Sequence, residues 1–83
     1  MEVLSDEELD EIERAETRQR AAMKELGYPK SVMATAVGAY NIMYDMTEIR
    51  ELIRVVDDLI EQKLSPREMV KAMQPHLRKI LGM

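Results

Sequence analysis

The stretch Ser31–Tyr44, SVMATAVGAYNIMY, carries no charged side chain, in a chain of 83 residues of which 34% are charged. A helix with no charged face is normally buried on most sides, so this segment predicts the element around which the others pack. Val32, Met33, Ala36, Val37, Tyr40, Met43 and Tyr44 fall on one helical face, while Ala34, Thr35, Gly38 and Ala39 are small enough to admit a close neighbour. Gly38 weakens a helix by roughly 1 kcal/mol relative to alanine. The pattern fits one helix to about Tyr44 or a short one that ends near Gly38.

Before this segment stands Gly27-Tyr28-Pro29, the strongest breaker in the chain. Gly27 suits a left-handed C-terminal cap, and Pro29 biases Tyr28 away from helical geometry. The helix it ends is expected over 5–26. Ser5-Asp6-Glu7-Glu8 fits a capping box, and acids follow it where the positive end of the helix dipole favours them. Its stripe, Leu9, Ile12, Ala15, Gln19, Ala22, Met23 and Leu26, thins at Ala15 and Gln19. The first half is therefore expected to overrun the core, to fray or to meet a partner. Asp10–Arg14 and Glu16–Arg20 are favourable pairs one turn apart.

After it comes Asp45-Met46-Thr47, with Asp45 or Thr47 as N-cap of a helix over 47–63. Ile49, Leu52, Ile53, Val56, Leu59 and Ile60 read as its inward face, and Asp57 and Asp58 as outward. Ser65-Pro66-Arg67-Glu68 signals another start. A short helix over 65–73 is expected to break at Pro75, leaving a last one over 75–81. With no strand-like alternation and no repeat, the fold expected is all-α: a compact bundle of four to five helices around the uncharged central one, forming a single domain over 1–83.

Composition narrows function. There is no cysteine and a single histidine, His76, so neither a thiolate site nor a histidine cluster can form. Asp57 and Asp58 are adjacent and diverge on a helix, and no carboxylate at helical spacing orients His76. No glycine-rich phosphate loop and no nucleophile–base set is present. The expectation is a protein that is not an enzyme and needs no cofactor or metal. The lack of cysteine and of a leader-type segment points to an intracellular setting, and no apolar run reaches membrane-spanning length.

The net charge of −4 is unevenly spread. Residues 2–16 hold eight acids (Glu2, Asp6, Glu7, Glu8, Asp10, Glu11, Glu13 and Glu16) and one base, whereas residues 66–83 hold one acid against Arg67, Lys71, Arg78 and Lys79. The ends either attract each other, within or between chains, or form solvated helix faces, which is the default. The acidic balance argues against a nucleic-acid partner. Eight methionines read first as adaptable core filling and second as a soft contact surface. Tyr28, placed in a loop, is expected to be at least half exposed and a contact candidate. Tyr40 and Tyr44, one turn apart, read as core edge, or else as part of a small-ligand site at an oligomer interface.

The run Ala21-Ala22-Met23-Lys24-Glu25-Leu26-Gly27-Tyr28, then Val32, Ala36-Val37 and an amphipathic helix ending in Leu59-Ile60, resembles a ubiquitin-associated (UBA) domain over residues 20–62. That family has three helices, with a Met/Leu-Gly-aromatic turn after the first and an apolar pair closing the third. The resemblance implies a ubiquitin-like protein partner, met by Leu26, Gly27, Tyr28, Leu59 and Ile60. The second helix here is longer and more apolar than the family's, and residues 1–19 and 63–83 have no counterpart. The alternative is a self-associating helical adaptor, or a small inhibitor or regulator that binds a larger target or a small ligand as an oligomer.

Overall fold

The computed structural model describes residues Leu4 to Gly82, so Glu2 of the acidic run lies outside the described residues. Those residues are all-α: α1 is Asp6–Glu25, α2 is Lys30–Val37, a 3-10 helix follows over Gly38–Ile42, α3 is Met46–Glu61 and α4 is Pro66–Leu81.

Local chemistry sets most of these boundaries. Ser5 Oγ accepts from the Glu8 N–H at 3.2 Å while the Ser5 N–H donates to Glu8 Oε1 at 2.9 Å, so two orphan donors are satisfied reciprocally. Ser65 and Glu68 repeat the arrangement at 3.2 Å in both directions, with Pro66 in the first turn. Asp45, not Thr47, caps α3, its Oδ1 accepting from the N–H groups of Thr47 and Glu48. At the end of α1, Gly27 takes φ 81°. The Tyr28 N–H donates to the Met23 carbonyl and the Gly27 N–H to the Lys24 carbonyl, both at 3.0 Å. This is a Schellman closure, and it buries Tyr28 together with Met23.

The uncharged segment is not one α-helix. It changes winding at Gly38, where the backbone tightens to the three-residue turn. That period puts residues three apart over one another, and Val37 and Tyr40, at that step, are both buried. Nor is the segment sheathed on most sides. Val32, Ala36, Val37, Ala39, Tyr40 and Met43 are buried, whereas Ser31, Ala34, Asn41, Ile42 and Tyr44 are exposed. The reason is geometric: α2 packs on α1 and α4, and nothing among the described residues covers its outer side.

α1 packs on α3, α3 on α4, α4 on α2 and α2 on α1, so the principal contacts close a ring. Glu11 pairs with Arg50 and Arg18 with Asp57. Both steps are seven residues in the same direction, so α1 and α3 run parallel. The core joins Ile12 and Met23 of α1 to Val32, Ala36 and Val37 of α2, to Ile49, Leu52 and Val56 of α3 and to Met69 and Met73 of α4. Five of the methionines (Met23, Met43, Met46, Met69 and Met73) are buried, which supports their reading as core filling.

A correction concerns the chain's end. The sequence predicts separate helices over 65–73 and 75–81, but α4 is continuous through Pro75. Pro75 is exposed, so the ladder bond it cannot make is lost on the wet side, where water meets the freed carbonyl. Met69, Met73, Leu77 and Ile80 carry the apolar ridge unbroken along the other side. Packing along that ridge overrides the local penalty. Pro75→Ala restores the missing bond without touching the core, and is expected to stabilise the fold by about 1–3 kcal/mol. At this chain length that is a rise in Tm of roughly 4–8 °C per kcal/mol, readable by thermal unfolding followed by circular dichroism.

Candidate interaction surface

The residues expected to meet a partner do not all face outward. Leu26 is 37% exposed and Gly27 is exposed, but Tyr28 is 5% exposed rather than half or more. Its ring enters the core, and its hydroxyl donates to the Leu64 carbonyl in the α3–α4 connection. Burial, and secondarily the charge of Glu68, push its hydroxyl pKa up. Leu59 and Ile60 are half-buried against the core. The Tyr28–Leu64 bond brings the α1–α2 turn beside the connection that follows Leu59 and Ile60. Of the five residues expected to meet a partner, Leu26 and Gly27 alone are exposed.

The two remaining tyrosines part company. Tyr40 is 2% exposed, while Tyr44 is 71% exposed and not core edge. The difference follows from the 3-10 winding and the extended Met43 after it, φ −100° and ψ 146°, which swings the chain outward before Asp45. Burial raises the Tyr40 hydroxyl pKa, so it remains a neutral donor. It donates to Gln19 Oε1 at 2.7 Å.

Gln19 is the residue the sequence pattern missed. Standing where the α1 stripe thins, it is 1% exposed, and Nε2 donates to the Ile53 carbonyl and to Asp57 Oδ1, both at 3.0 Å. One amide thus ties α1 to α3 twice and to the 3-10 helix once. Asp57, expected to be a solvated surface acid, is half-buried and shared, its Oδ2 accepting from Arg18 Nη2 at 2.8 Å. No buried side-chain polar atom among the described residues is without a partner. The one available signal was a polar residue four positions from both Ala15 and Met23, at a core-facing register.

Above this network lies an open groove of about 300 Å³ between the first half of α1 and the 3-10 helix. Leu4, Leu9, Ile12, Met43 and Tyr44 line it, with Tyr40 on the floor and Glu13 and Glu16 on one side. Leu9 is 48% exposed, so the thin stripe leaves α1 with an apolar residue that its own core does not cover. A second cleft, about 210 Å³, lies between α3 and α4, lined by Glu48, Glu51, His76 and Lys79 beside Met43 and Ile80. On the opposite edge, Arg50 Nε and Nη2 fork onto Glu11 Oε2 and Oε1 at 2.8 and 3.1 Å. That hydrogen bonding holds the Glu11 carboxyl below its ordinary value of 4.5. A depressed acid stabilises the fold above 4.5 and loses that contribution as pH falls through its lowered value. Both groups are exposed, so the pair adds little.

Among the described residues no group of three potential ligands could hold a metal ion, and no helix is long and apolar enough to cross a membrane. Set against family models, curated proteins and solved structures, the chain matches none.

Replacing Gln19 tests the network that floors the groove. Gln19→Ala strands the Tyr40 hydroxyl and is expected to cost about 2–4 kcal/mol in urea unfolding. Gln19→Glu keeps the shape but removes the donor and sets a carboxylate against Asp57. Burial raises the pKa of the introduced carboxyl, so its deficit against the parent chain is largest at pH 7 and shrinks as pH falls through that raised value.

Proposed function

We propose that the chain is a non-enzymatic protein-interaction module whose docking face is the groove between α1 and the 3-10 helix. The observation that carries this is the exposure of two large apolar side chains, Leu9 and Tyr44, on one groove of a domain this small. Contiguous exposed apolar surface with a polar rim is the usual mark of a binding site. The partner it suits presents an apolar helix face flanked by lysine or arginine, which Glu13 and its neighbours on α1 would attract. In this reading the uncharged segment 31–44 is the hub of a four-helix bundle. Its buried side faces α1 and α4, and its 3-10 half, tied to Gln19, holds Tyr44 at the groove.

A test uses a designed amphipathic leucine–lysine peptide and chemical-shift mapping on the full chain. Saturable shifts centred on Leu9 and Tyr44 are expected, weakened at least roughly tenfold by Leu9→Lys, about 1.4 kcal/mol of binding. The variant's Tm should stay close to the parent's, because Leu9 is half exposed. Shifts spread evenly along the acidic face and insensitive to Leu9→Lys would reject the groove.

A second reading, a UBA-like module for a ubiquitin-like protein at Leu26, Gly27, Tyr28, Leu59 and Ile60, is favoured by the Tyr28–Leu64 bond. That bond draws the Leu-Gly-Tyr turn towards the end of α3. With the tyrosine ring inward, contact would rest on Leu26, Gly27 and the exposed parts of Leu59 and Ile60. Titration with ubiquitin decides it. Shifts at Leu26 and Leu59 support this reading, and their absence at high ubiquitin concentration removes it.

A further inference from the structure

The groove has a counterpart on the same molecule. In the last turns of α4, Leu81 is 56% exposed and Arg78 lies three residues before it, on the same helix face. On α1, Leu9 and Glu13 stand four residues apart in the same relation, an apolar residue with a charge one turn away. The signs are opposite. Among the described residues neither Glu13 nor Arg78 belongs to an ion pair; the pairs present are Arg18–Asp57, Arg20–Glu16 and Arg50–Glu11.

The two patches also share one end of the molecule. Met43 lines the groove together with Leu9 and Tyr44, and it lines the α3–α4 cleft together with Lys79 and Ile80. Glu11 of α1 pairs with Arg50, and His76 and Lys79 of α4 line a cleft with Glu48 and Glu51, so the starts of α1 and α3 and the end of α4 lie together there. A two-fold rotation at that end would bring each patch to the other's complement. This is the condition for an isologous contact, in which residue i of one protomer meets residue j of its partner and the reverse. The contact is made twice, so a small groove and a short helix end together supply a doubled apolar centre with charged pairs at its rim, the anatomy of a protein interface.

We propose that this end of the chain is a self-complementary surface on which a second copy docks. The groove of each protomer takes the end of α4 of its partner, Glu13 pairs with Arg78 across the interface, and Leu81 covers Leu9 and Tyr44. This rests on the reading of the groove as a docking face and names its occupant. A closed two-fold pairing uses both patches, so association stops at two chains and weakens as salt screens the rim.

The experiment is the solution mass of the full chain by sedimentation equilibrium, over roughly a thousandfold range of concentration, which spans about 4 kcal/mol of association free energy. Expected is a rise from one chain to two and no further, with a weaker dimer in high salt. Glu13→Arg alone and Arg78→Glu alone each set like charges across both contacts, and each should weaken the dimer at least roughly tenfold. Mixing the two variants should restore it. In the mixed pair one protomer is basic at both positions and the other acidic at both, so both contacts become attractive again. Both positions are exposed, which keeps folding out of the comparison. A chain that remains single throughout overturns the proposal, as does a dimer that either variant leaves unchanged or that mixing fails to restore. Should the single chain still bind the leucine–lysine peptide at Leu9 and Tyr44, the groove stands and only its occupant is wrong. If it binds neither, both readings fall together.

Discussion

The fold depends on satisfying one buried amide. Gln19 sits at 1% exposure where the α1 stripe calls for an apolar side chain, and an unpaired amide there would cost several kcal/mol. Its three partners come from two elements: the Tyr40 hydroxyl from the 3-10 helix, and the Ile53 carbonyl and Asp57, which also holds Arg18, from α3. Each is usable only when α1, the 3-10 helix and α3 stand in one arrangement. Apolar contacts tolerate small slides. A three-way hydrogen-bond set in a dry site does not, so the polar residue fixes register where the core supplies cohesion.

That register explains the parallel course of α1 and α3. The pairs Glu11–Arg50 and Arg18–Asp57 lie seven residues apart along both helices, the second adjoining Gln19, and their signs alternate: the acid is on α1 in one and on α3 in the other. Sliding α1 along α3 would bring like charges together, so these exposed pairs discriminate against wrong registers more than they stabilise the right one. Parallel helices need a return path, which α2 and the tighter 3-10 turn supply. The 3-10 winding that lets Tyr40 reach Gln19 also leads into the extended Met43 and turns Tyr44 out to solvent. The groove is thus a by-product of the chain's return to the start of α3.

What the sequence made legible was local. Ser5-x-x-Glu8, Ser65-Pro66-x-Glu68, Asp45 and the glycine after α1 act through bonds spanning a few residues, and each forms as the spacing predicts. So does the all-helical class, from periodicity alone. What was not legible was decided at a distance. Tyr28 reads as a loop aromatic, yet Leu64, 36 residues on, accepts its hydroxyl and draws it inward. Pro75 reads as a break because its cost is local, whereas the ridge Met69–Met73–Leu77–Ile80 that carries α4 past it is tertiary. Gln19 reads as a gap in a stripe because its three partners lie 21 to 38 residues away. The groove was hidden by the same logic: Leu9 and Tyr44 line one groove only because the chain between them doubles back.

The same seam determines the order in which the chain can assemble. α3 and α4 are joined by the four residues between Glu61 and Pro66, so their contact closes a short loop. The bonds from α1 to α3 span 34 to 39 residues, and the entropy of closing so long a loop must be met before any of them forms. A chain otherwise rich in local contacts therefore carries two non-local closures, α1 on α3 and α2 on α4, and topology of that kind sets folding speed. α1 meets α2 across the four residues between Glu25 and Lys30 but meets α3 only across the long loop, so the acidic wall of the groove takes its final place when that loop closes.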